Sequence, residues 1–145
     1  MANSVSNQAT AIINGLGVTP ISVPSNTTDT DIIDLQFTKA ANTNYVLVGG
    51  TLCYTVTAFN NSDVDFVDPD ATYPDGKGGI VFSDTLASNV SYKVGSFTYQ
   101  IDSGPPVSVE PDIDTPSNTI SYNNLQIPAD STAVVKFCVI VNSAF

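Results

Sequence analysis

The sequence predicts an all-β fold: an immunoglobulin-like, Greek-key antiparallel β-sandwich carrying an extra donor strand or hairpin at its N-terminus. Three observations carry this. Strand-favouring residues (Val, Ile, Thr, Tyr and Phe) recur along a chain that is 42% hydrophobic. Seven or more short segments alternate apolar and polar residues, with turn residues between them at regular spacing. No window sets apolar residues at i, i+3 and i+4 behind a capping residue, so no helix is predicted. A length of 145 residues suits one domain with a real core.

Residues 7–13 and 18–23 read as a hairpin around Asn14-Gly15-Leu16-Gly17. The polar stretch 24–31 reads as a linker, so residues 1–31 form a donor segment and 32–145 the sandwich. Residues 32–40 alternate, placing Ile33, Leu35, Phe37 and Lys39 on one face. Turns follow at Asn42–Asn44 and Gly49-Gly50. In residues 51–60, Leu52, Tyr54, Val56 and Ala58 share one face, and Cys53, Thr55, Thr57 and Phe59 the other. An acidic loop occupies residues 60–79, and residues 79–84 form the next strand. Residues 85–90 read as a turn, and 95–101 as a strand presenting Phe97, Tyr99 and Ile101 together. After a Pro-rich loop come strands at 118–122 and at Thr132–Val141, joined through a turn at 125–131. The long connections favour Greek-key order over a meander.

Charge narrows the function. Four lysines against fourteen acidic residues give −10, with no histidine; there is also no arginine. Such a chain offers no electrostatic footprint for nucleic acid or an anionic membrane. It also lacks a phosphate-binding glycine loop and metal-type cysteine spacing, so no enzyme is expected. The N-terminal residues MANSVSNQAT form no secretory leader, and no stretch is apolar enough for membrane insertion as a helix.

Several spaced motifs occur in order: Lys39; Gly50, Thr51, Tyr54, Thr55, Thr57 and Asn60; Asp84, Thr85 and Leu86; Tyr92, Gly95 and Ser96. In these the chain resembles the conserved-repeat β-sandwich domain of bacterial surface proteins, catalogued as domain of unknown function eleven, over about a hundred residues. The acidic insertion at residues 62–76 and the two cysteines depart from that pattern. In tandem repeats of the family, a segment similar to residues 7–26 follows a valine-rich strand like the last one here. The order in this chain is circularly shifted. The resemblance therefore implies that residues 7–26 complete a sandwich, their own or a neighbour's.

Four constellations follow. Ala9, Ala11 and Ile13 alternate to one face and Ile12 to the other, a pattern suited to adding a strand to an open edge. Lys39 lies on the apolar face of its strand. Related surface sandwiches join such a lysine to an asparagine in a carboxylate-assisted isopeptide bond, which here would use Lys39, Asp84 and Asn142. Parity opposes this, because Asn142 faces outward when Phe137, Val139 and Val141 face the core. Asp63, Asp65, Asp68, Asp70 and Asp75 gather carboxylates of the kind calcium takes, without the spacing of an EF-hand. A solvated surface loop is the alternative. Cys53 and Cys138 both point away from the core by parity. They are predicted to bond across a shared sheet, to link subunits, or to stay reduced.

The reading is a bacterial structural subunit that partners itself, a homopolymer joined head to tail by its N-terminal strand. Such contacts do not close, so they propagate as an extracellular filament on a cell or spore surface. No cofactor is required, calcium aside. A monomeric adhesin-type module and a viral or phage decoration protein are the alternatives.

Overall fold

The computed structural model describes residues 4–13, 21–31, 34–63, 65–66 and 80–143. Among these every regular element is a strand and every pairing is antiparallel. β1 (Ser4–Ile13) and β2 (Ile21–Asp31) form a two-stranded sheet of their own. The remaining strands are β3 (Leu35–Ala41), β4 (Thr51–Asn60), β5 (Ile80–Thr85), β6 (Val90–Tyr92), β7 (Thr98–Ile101), β8 (Val107–Ser108), β9 (Asp112–Asp114), β10 (Thr119–Leu125) and β11 (Thr132–Val141). They build an immunoglobulin-like sandwich. One sheet runs β3-β4-β11-β7-β8, with β6 also paired to β11, and the other runs β5-β10-β9. The chain crosses between the sheets after β4, β5, β8 and β10, which is why the connections are long.

β11 shows why these residues make strands. Ala133, Val135, Phe137, Val139 and Val141 are buried, while the residues between them are half-buried or exposed. A period of two with β-branched residues leaves one face to the core and suits no helix. Its inward face meets Val56 and Ala58 of β4, Ile120 and Leu125 of β10, and Ile127. Aromatic rings fill the centre: Phe82, Phe97 and Phe137 stand 5.7–6.3 Å apart, and Tyr54 lies 5.4 Å from Phe137.

One buried polar residue fixes the sandwich end. Asn60 is fully buried at the end of β4. Its Nδ2 donates to the carbonyls of Ile127 (3.1 Å) and Pro128 (3.0 Å), and its Oδ1 accepts from the Ser62 N–H and hydroxyl. It thus holds the turn before β11 to the loop after β4. Asn60→Ala leaves these groups unsatisfied in a dry site and lowers stability by about 2 kcal/mol, measurable by urea unfolding. An unchanged midpoint would mean that water replaces the amide.

Several expectations are corrected. Residues 24–31 are part of β2, not a linker, because β1 starts at Ser4 and pairs with β2 out to Asp31. Polar Thr and Asn residues accept a strand when a partner satisfies the backbone. The hairpin turn at residues 14–17 lies outside the described residues. β6, β8 and β9 fall where turns and loops were expected, since two or three residues are too few to show a period. Part of the expected acidic loop is pinned down: Phe66 pairs with Ile127, and Asp65 Oδ1 accepts the Ala129 N–H at 2.8 Å.

Two tyrosines tie the loops to the core. The Tyr92 hydroxyl accepts the Phe97 N–H at 3.2 Å and donates to Glu110 at 3.4 Å. Tyr122 stacks on Tyr99 at 5.7 Å. Burial, first of all, raises both phenols above their ordinary 10.0. The folded chain therefore keeps these protons more tightly than the unfolded one. Their contribution is complete below pH about 10 and is lost as pH rises through the folded values. Melting temperature is expected to fall above that pH, and Tyr122→Phe to blunt the fall.

Candidate assembly site

Two features of the molecule pair with no further strand among the described residues. The first is the hairpin. Among the described residues, β1 and β2 hydrogen-bond to each other and to no strand of the sandwich. β2 sets Ser25 and Asn26 opposite Ala9, a bulge in which the Ala9 N–H donates to Ser25 Oγ at 3.0 Å. The side chains from Gln8 to Ile12 are exposed, Ile12 at 63%. The candidate donor residues Ala9, Ala11, Ile12 and Ile13 thus sit together on one strand.

The second is one side of the sandwich. Among the described residues β3 and β5 are edge strands of the two sheets, and their contacts put them on the same side. Phe37 of β3 is 6.5 Å from Phe82 of β5, and Lys39 Nζ is 2.5 Å from Asp84 Oδ2. All seven residues of β3 are nevertheless exposed. Leu35 and Phe37 belong to its inward-facing set, yet Phe37 is 54% exposed. An apolar row on the core side of a strand is exposed only when nothing stands opposite it. Past the end of β3 the groove continues into a cleft of about 410 Å³ lined by Val46, Val48, Leu52, Tyr54, Val90 and Val141. The loop above that cleft exposes Tyr45 and Leu47 almost fully.

Lys39 spans this groove. Its ammonium lies 4.3 Å from the centre of the Tyr54 ring and 5.7 Å from that of Phe137 while it pairs with Asp84. The alkyl stem covers apolar surface and the charge stays partly wet. The structure does not bring the isopeptide set together. Lys39 is level with Val56, which is level with Val135. Asn142 lies seven residues further along, roughly 23 Å at strand rise. It receives the Ser91 hydroxyl at 3.3 Å instead. The Lys39–Asn142 bond is thereby corrected to a Lys39–Asp84 ion pair.

Cys53 and Cys138 are directly opposite each other on β4 and β11 and form an intrachain disulfide. Both residues are on the outer face of the larger sheet, as parity predicts. With both sulfurs used within one chain, a cysteine link between subunits is corrected to a cross-strand bond. Of the calcium candidates, Asp65 is engaged with Ala129 as above, and Asp68, Asp70 and Asp75 lie outside the described residues. Asp63 and Asp65 join no cluster of three or more metal-binding side chains among the described residues.

Sequence reasoning missed the β5 edge that no described strand covers, the exposure of Phe37 and the apolar loop. Only the last left a signal, the uninterrupted run Tyr45-Val46-Leu47-Val48 between two turns.

No family model and no curated protein matches the chain. Among solved structures it is similar to the crystal structure of the RrgA Jo.In complex, at 11% identity and a TM-score of 0.48, over 75% of this chain. The match spans 62% of that chain. A likeness this slight decides nothing about function.

Proposed function

We propose that this chain is a non-catalytic structural subunit of a self-assembling surface filament, in which the β1–β2 hairpin of one copy completes the sandwich of the next. One observation carries the reading: a hairpin that joins no described strand of the sandwich and an open, apolar sandwich side occur in the same molecule. Each exposes backbone or apolar groups that the other can satisfy. Among the hairpin residues whose burial is described, none belongs to the hydrophobic core. Head-to-tail joints of this kind leave a free donor and a free acceptor at every stage, so growth does not stop.

Three further facts support this setting. The disulfide suits an oxidising, extracellular site. The charge of −10 keeps unassembled copies soluble. The motifs resemble the repeat domain of bacterial surface proteins, which fits a cell or spore surface. A monomeric binding module is the second reading, favoured by the exposed Tyr45 and Leu47.

Negative-stain electron microscopy separates the two. The full chain is expected to form filaments, and the double variant Ala9→Pro/Ala11→Pro only dispersed particles. Dispersed particles from the parent chain under all conditions would transfer the argument to the binding module.

A further inference from the structure

We infer that the acceptor is the free edge of β5, and that β1 of the neighbouring copy lies along it, opposite β3 and in the same direction as β5. This rests on the filament reading and adds the site, the strand and its orientation.

The larger sheet is five strands wide and the smaller only three. Phe82 of β5 stands 6.2 Å from Phe137 of β11 and 6.5 Å from Phe37 of β3. That equal reach puts β5 over β4, the strand between them, and leaves β3 with no strand opposite among the described residues. A strand added to β3 would widen the wider sheet and leave Leu35 and Phe37 bare. A strand added to β5 covers both. Incorporating the hairpin there takes the smaller sheet from three strands to five.

The hairpin has two outer edges, and they are unequal. β2 carries Pro24, which has no N–H, beside the Ser25 bulge, and also Asp29 and Asp31. β1, SVSNQATAII, has no proline and no charge. Neutrality matters between copies that each carry −10. On the acceptor side, β3 contributes only Lys39 and β5 only Asp84, and these neutralise each other.

Size sets the direction. The Lys39–Asp84 ion pair closes across the groove, and a cleft of about 410 Å³ lies beyond the end of β3. β1 has small residues, Ala9 and Ala11, in its second half and two isoleucines at its end. It is ten residues long against six for β5, so it overhangs. Alanines beside the ion pair bring the isoleucine end of β1 to the cleft lined by Leu52, Val90 and Val141.

Two full-length variants test this. Phe37→Asp damages the acceptor at an exposed position, and Ala9→Pro/Ala11→Pro damages the donor. Neither should assemble alone. Mixed in equal amounts they keep one sound donor and one sound acceptor, so sedimentation should show a heterodimer of twice the monomer mass and nothing larger. Leu35→Ser, a milder change, should raise the critical concentration about tenfold. Melting curves matching the parent show that each variant is folded. For orientation, a short bismaleimide should join Ile12→Cys of one copy to Leu47→Cys of the next, and fail with Ser4→Cys in place of Ile12→Cys. If Phe37→Asp and Leu35→Ser both assemble like the parent while the donor variant does not, the β5 site is wrong and the filament reading survives. Cross-linking through Ser4→Cys alone would overturn the direction. Assembly of the donor variant at the parent's level would remove the filament reading itself.

Discussion

Replacing Cys53 and Cys138 together by alanine should lower stability by about 4 kcal/mol and the melting temperature by roughly 10–15 °C. The bond closes a sequence separation of 85 residues, between the second and the last strand of the sandwich. Loop-closure entropy for a loop of that length lies near the upper end of the range seen for disulfides. The two strands are also central neighbours in the larger sheet, paired along nine positions from Thr132↔Phe59 to Ile140↔Thr51. Without the link, β4 and β11 must find that register across most of the domain. Reducing agent should reproduce the loss in the parent chain and have no effect on the double variant. A shift under about 2 °C in both experiments would show that the unfolded chain is scarcely restrained by the link.

Phe137→Ala should cost about 4 kcal/mol, enough to leave many domains of this size only marginally folded. The ring is fully buried and lies within 6.3 Å of Tyr54, Phe82 and Phe97, so no neighbour is free to collapse into the space. It also underlies the Lys39 ammonium, so its removal weakens the clasp over the open groove. Phe137→Leu, which retains most of the volume, should cost only about 1.5 kcal/mol. Equal losses for the two variants, read from denaturant midpoints, would contradict a rigid aromatic centre.

Legibility in the sequence followed burial. β11 was readable to its ends because one face is sealed, so a shift of one residue would reverse every side chain. The same reasoning placed Val56 and Ala58 inward on β4 and Cys53 and Cys138 outward. It failed for residues 24–31, where residues 24–28 are exposed on both faces and strand formation depends on β1 lying alongside. It failed also for β8 and β9, whose exposed residues carry no pattern. Asn60 was visible as the end of a motif, yet its role depends on the carbonyls of Ile127 and Pro128, 67 and 68 residues away.

By itself the sequence determined the class of fold, the inward faces of the long strands, the strong negative charge and the presence of a neutral N-terminal strand. These follow from local alternation and composition, which need no knowledge of partners. Tertiary structure alone decided the rest. Register set Cys53 opposite Cys138, and strand rise removed Asn142 from Lys39. The unequal width of the two sheets exposed β3 and, among the described residues, left the outer edge of β5 without a partner strand. Each of these depends on which strands become neighbours, and that is fixed by long-range packing rather than by any stretch of residues.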